Sequence, residues 1–158
     1  MANGRQDPAE RVREMMERIA SAAGVEATVE VHEADDGLHA EYLGDDLGLL
    51  IGHHGQTIDA IQHLAYRIAS DTTDPSHPRV SVLVDAAGYR ERRAQTLRAT
   101  ADQAAQTAIS RGHAVPLEAM SALERKVIHE HLKDRHDVET YSEGQEPSRH
   151  LVVAPLVD

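Results

Sequence analysis

The chain contains no cysteine, tryptophan or phenylalanine, and its only classical aromatic side chains are four tyrosines. Without thiols it can form neither disulfides nor thiolate metal sites. With so few large rings, a nucleobase-stacking platform spread across a sheet is not expected. Long apolar runs are missing as well: nothing approaches the roughly 20 residues of a membrane-spanning helix, and residues 1–24 are too charged for a signal peptide. These absences predict a cytoplasmic protein with no membrane insertion.

Lysine is almost absent. The basic residues are 14 Arg and 2 Lys, against 27 Asp and Glu, for a net charge of −11 in 158 residues. A polyanionic ligand requires local positive charge, so the distribution matters more than the total. Up to Ala86, 6 basic residues stand against 16 acidic ones; from Ala87 onward the counts are 10 and 11. The second half is therefore the part better able to meet a polyanion.

What is present is a clear alternation of elements. Asp7-Pro8-Ala9-Glu10 carries a helix-starting signature, and the apolar face of Val12, Met15, Met16, Ile19, Ala20 and Ala23 runs to Gly24. Residues 25–31 alternate as a strand, Asp35-Asp36-Gly37 makes a turn, and residues 38–43 return as a second strand. Asp45 or Asp46 is expected to cap a short helix through Ile51, followed by a helix from Gln56 to about Ser70, a loop over 71–78 and a third strand over 80–84. Beyond it, one long helix is predicted over 86–112 with Leu97, Ala101, Ala105, Ala108 and Ile109 inward. The capping box Ser121-Ala122-Leu123-Glu124 opens another helix to about Asp134, and residues 138–142 and 149–154 read as two strands.

Between two of these helices lies Ile51-Gly52-His53-His54-Gly55-Gln56. A Gly-x-x-Gly turn permits positive φ and close approach of a foreign backbone, and the helix N-terminus after it offers unpaired N–H groups to a phosphate. This is the arrangement with which KH domains clamp about four nucleotides. On the later helix, Arg125, Lys126, His129 and Lys133 fall within an arc of about 100°, and Leu123, Val127, Ile128 and Leu132 are expected to form a core face on the other side. That stripe suits a phosphate grip by a guanidinium assisted by an imidazole. Arg90, Arg92 and Arg93 open the long helix where positive charge opposes the macrodipole, which makes them candidates for RNA contact or for the seam between domains.

Residues 1–86, with the Ile51-Gly52-His53-His54-Gly55 loop, resemble a type II KH domain. Residues 87–158 resemble the Arg-x-x-x-His domain through Arg125-Lys126-Val127-Ile128-His129. The pair, joined by Gly88-Tyr89-Arg90-Glu91-Arg92-Arg93 and ending in Ser142-Glu143-Gly144-Gln145-Glu146-Pro147, is similar to the Jag (SpoIIIJ-associated) family of bacterial RNA-binding proteins. The resemblance implies an α+β protein: an N-terminal KH type II domain, with a three-stranded sheet and helices on one face, plus a smaller α/β Arg-x-x-x-His domain linked by a long helix. It also implies a regulator of the cell envelope, cell elongation or sporulation that binds single-stranded RNA, with single-stranded DNA the alternative ligand. Another KH protein and a membrane insertase complex are the protein partners it brings into view. The chain departs from the family pattern in carrying His53 and His54 where a basic residue is usual.

The RNA-binding candidates are thus Gly52, His53, His54, Gly55, Gln56, Arg125, Lys126, His129 and Lys133. The competing reading is a protein-interaction adaptor whose acidic KH half docks a partner. No His-Glu-x-x-His, Gly-x-Ser-x-Gly or Walker-type loop occurs, so no enzyme, cofactor or metal site is expected. Adjacent side chains such as His53 and His54 are expected to diverge. Imidazoles ordinarily titrate near pH ~6.5, and a bound phosphate favours their charged form. RNA affinity is therefore expected to rise as pH falls from about 7.5 to about 5.5, a trend that pH-dependent titrations should find missing when both histidines are replaced by Ala.

Overall fold

Pro8 lacks an N–H and has a fixed φ, which suits a first helical turn, and the computed structural model starts helix α1 there, spanning Pro8–Ala22. It describes residues 7–70, 76 and 78–156. Asp7 occupies the cap position without a side-chain bond; its carbonyl instead accepts from the Arg11 N–H at 3.1 Å. Strand β1 (Thr28–Ala34) and strand β2 (Gly37–Leu43) pair antiparallel, Val31 opposite Ala40, and β2 pairs in parallel with β3 (Val82–Ala86), Ala40 opposite Val84. Between β2 and β3 come a short helix α2 (Gly48–Ile51), a single 3-10 turn (His53–Gly55) and helix α3 (Gln56–Ala69). Of the loop expected over 71–78, only Ser76 and Pro78 are among the described residues.

The period-two and period-3.6 patterns meet in one core. Leu38, Ala40, Tyr42, Val84 and Ala86 from the sheet pack with Val12, Met16, Ala20 of α1 and Ile58, Ile61, Ala65 of α3. Asp45 and Asp46 remain exposed and do not cap α2; Leu47 holds that position, buried, and its carbonyl accepts from Leu50 and Ile51 at 3.0 Å. Burying Leu47 fixes the start of the helix more firmly than a solvated aspartate could. Arg11 reaches across to the end of α3, donating to the carbonyls of Ile68 and Ala69.

The chain divides into two units, residues 1–90 and 91–158. Helix α4 (Tyr89–Arg111) begins at the division and runs through the second unit, followed by β4 (Val115–Ala119), α5 (Ala122–Leu132), β5 (Val138–Glu143) and β6 (His150–Pro155). The sheet order is β4-β6-β5, antiparallel throughout, with Thr140 opposite Val153. Strand β4 is absent from the periodicity because Pro116 interrupts it. It survives as an edge strand with a shift of register between Pro116 and Ala119. Leu97, Ala101, Ala104 and Ala105 of α4 pack with Ile128 and Leu132 of α5 and with Val138, Leu151 and Val153 of the sheet. Ile109, expected inward, is exposed: the buried stripe of α4 ends at Ala108, and Ile109 lies one step round the helix from it.

Tyr42 is fully buried in the first core, and its hydroxyl donates to the Met16 carbonyl at 2.7 Å. Burial raises the ionisation of this phenol above its ordinary range. A folded-state pKa above the unfolded one gives stability that is complete below about pH 10 and lost as pH rises beyond it. Tyr42→Phe is expected to cost about 1 kcal/mol near neutral pH and to flatten the fall in urea midpoint between about pH 10 and 12.

Candidate nucleic-acid interface

The loop between α2 and α3 is shaped by its two glycines. Gly52 sits at φ 74°, ψ −177°, a region open essentially only to glycine. A Cβ there would overlap the Thr57 hydroxyl and come within 2.9 Å of the Thr57 nitrogen. At Gly55, φ 81°, a Cβ would meet the Tyr89 ring at 2.8 Å, and Gly55 is buried. The room left by the missing side chains is thus filled by Thr57 and Tyr89. Those neighbours account for glycine at both positions.

The histidines remain outward. His53 and Gln56 are exposed, while His54 is half-buried. His54 adopts φ 51°, and this left-handed turn brings the two rings together, stacked with centroids 3.9 Å apart and planes at 27°. The expectation that neighbouring side chains diverge fails here because it assumes an extended or helical backbone. Stacked imidazoles hold their nitrogen lone pairs in nearly parallel planes, so the pair cannot converge on one metal ion. Helix α3 follows this turn directly, with Gly55 as its cap and no side-chain cap bond, and the Gln56 N–H donates to the His53 carbonyl.

The arginines after β3 are structural anchors. Arg90 donates to the Asp59 carboxylate at 2.8 Å, to the Val84 carbonyl at 2.8 Å and to the Gln62 side chain at 3.1 Å. Its N–H donates to Asp85 at 3.2 Å, which gives the first turn of α4 an acidic partner. Arg93, half-buried, donates to the buried Glu124 carboxylate at 2.6 Å within the second unit. Arg92 is exposed.

Helix α5 is rotated from the face its apolar residues suggest. Leu123 is 62% exposed, whereas Glu124 and Arg125 are buried with Ile128 and Leu132. Both charges are admitted because both are partnered, Glu124 by Arg93 and Arg125 by three acceptors. Arg125 Nη1 donates to the Met120 carbonyl at 2.7 Å and the Arg149 carbonyl at 3.4 Å; Nη2 donates to Glu146 Oε1 at 2.7 Å. The open basic stripe is corrected accordingly. Arg125 is its buried floor, Lys126 and His129 are exposed, and Lys133 is engaged by Glu130 at 2.8 Å, a bond that raises the Lys133 pKa and lowers that of Glu130.

Beside α5 lies an open cleft of about 450 Å³ lined by Arg125, Lys126, His129, Tyr141 and Arg149, with Thr140 and Ser142 adding hydroxyls. His129 Nδ1 is bonded to Thr140 Oγ1 at 2.6 Å, which fixes the ring; Lys126 makes no ion pair among the described residues. Among the described residues no carboxylate lines the cleft. Lys133 is outside it. Tyr141, 42% exposed, and Arg149 were not legible as site residues, since each sits in or beside a strand with no spacing relation to Arg125. The one signal was the scarcity of aromatics, which makes any exposed tyrosine notable.

Two domain families match: the KhpA/KhpB KH domain over residues 9–82 and the Arg-x-x-x-His domain over residues 95–155. The RNA-binding protein KhpB of Bacillus subtilis is 32% identical over 150 residues, covering 94% of this chain and 71% of that protein. The chain belongs to the KhpB, or Jag, family. The KhpB of Clostridium symbiosum is 34% identical over 143 residues (89% of this chain, 63% of that protein), and that of Lactiplantibacillus plantarum 47% over 107 residues (68% and 32%). The chain thus spans between about a third and two-thirds of the length of these last two relatives. The first unit is the KH part of the α+β architecture and the second the Arg-x-x-x-His part.

Gly52→Ala is expected to cost about 1–3 kcal/mol through its backbone strain alone and to shift the amide signals of Thr57 and the first turn of α3. A melting curve and a two-dimensional amide spectrum check both.

Proposed function

We propose that this protein is a non-catalytic regulator that binds single-stranded RNA in the cytoplasm. The observation that supports it best is the α5 cleft: in a chain of net charge −11, its lining holds two arginines, a lysine, a histidine and a tyrosine, and the one acid bonded to those cations among the described residues is Glu146, on Arg125. Lys126 and Arg149 meet phosphates, His129 adds a hydrogen bond, and Tyr141 offers a ring on which one base stacks. Arg125 takes part from the floor. The loop of Gly52, His53, His54, Gly55 and Gln56 provides a second, weaker contact, with the two imidazoles and the Gln56 amide as its polar groups. Two modest contacts on one strand raise overall affinity through effective concentration. The relatives named above are RNA-binding proteins, which agrees with this reading. Roles in the cell envelope, elongation or sporulation, and partnership with another KH protein or an insertase complex, belong to the same proposal.

Salt titration of RNA binding separates the contributions. Lys126→Ala is expected to reduce the slope of log K against log salt by about 0.7. Tyr141→Ala is expected to weaken binding by about 1–3 kcal/mol while leaving that slope unchanged, and Tyr141→Phe to retain affinity. Absence of any binding at about 50 mM salt would instead favour the protein-interaction adaptor.

A further inference from the structure

The Arg125 guanidinium has two kinds of partner. Nη1 is held by the backbone carbonyls of Met120 and Arg149, which cannot withdraw unless the chain moves. Nη2 is held by a side chain, the Glu146 carboxylate at 2.7 Å, and a side chain can rotate away. The two ends of this ion pair differ in exposure: the Arg125 side chain is 10% exposed and that of Glu146 58%. Water therefore reaches the acid and not the base.

A carboxylate oxygen on a guanidinium nitrogen stands where a phosphate oxygen would stand, with the same charge sign and nearly the same bond length. A buried guanidinium left without its anion is strongly unfavourable, so Glu146 leaves only if another anion replaces it. A largely exposed acid is weakly held for its own part, which makes the exchange feasible. Around this point the cleft supplies Lys126, His129 and Arg149 to receive the incoming anion.

We propose that Glu146 is an internal competitor for phosphate at Arg125, so that this one carboxylate sets the affinity of the cleft for a nucleic-acid strand. The inference rests on the RNA reading of the cleft. When RNA binds, a backbone phosphate takes the Nη2 donor and the Glu146 side chain turns to solvent. The carbonyl bonds of Nη1 persist, so the turn over residues 144–149 keeps its place.

Glu146→Gln tests this, because the amide oxygen still accepts from Arg125 while the competing charge is gone. Binding of a fluorescent mixed-sequence RNA oligonucleotide by the full chain is expected to tighten about three- to tenfold, while the melting temperature of the free chain falls because the buried guanidinium has lost its anion. The gain should vanish when Arg125 is Gln or Lys, as a double-mutant cycle requires of a direct contact. Arg125→Lys serves if Arg125→Gln does not fold, since it retains the buried charge. A gain of equal size in both backgrounds would mean general electrostatics and overturn the proposal, as would unchanged or weaker binding by a Glu146→Gln chain that is still folded at the assay temperature. If neither the wild-type chain nor Glu146→Gln binds at about 50 mM salt, the RNA reading itself fails, a result distinct from wild-type binding without a gain.

Discussion

A guanidinium can leave water only if its donors are met, and the second unit is built around meeting those of Arg125. Its bonds reach the stretch before α5, the residue before β6 and the turn that joins the last two strands. Met120 N–H closes the arrangement by donating to the same Arg149 carbonyl at 3.2 Å. One side chain thereby fixes three pieces of chain that would otherwise be surface loops. The cleft beside it exists because those pieces are held apart at fixed distances.

The same economy governs the first unit, where Arg90 ties β3, α3 and the start of α4 together through Val84, Asp59 and Gln62. Glu41 and Asp85, on neighbouring strands, accept from the N–H groups of Gly88 and Arg90. In an acidic chain with few cations, those buried or half-buried serve as cross-links, and those left exposed beside α5 stand out as a ligand surface. Charge that is scarce is informative by its placement.

Much of the fold could be read from periodicity, since every strand but β4 was foreseen and Pro116 accounts for that one. The family was legible in the Gly52–Gly55 loop and the Arg125/His129 spacing. What could not be read was which charges go inside. At about 100° per residue Glu124 and Arg125 share a face with Ile128 and Leu132, but only Arg93 and Glu146, distant in sequence, let charges be buried there while Leu123 stays outside. The pairing of His53 with His54 was hidden for a related reason: it depends on one left-handed residue, a conformation that the side-chain types do not announce. Tyr141 and Arg149 join the cleft through strand pairing alone.

The interrupted edge strand has a consequence for crowding between copies of the chain. Pro116 offers no N–H, and the register slip before Ala119 skews the remaining hydrogen-bonding groups, so the β4 side of the small sheet is a poor template for a further strand. Neighbouring molecules can touch there without zipping into a continuous ribbon, and each stays free to separate singly.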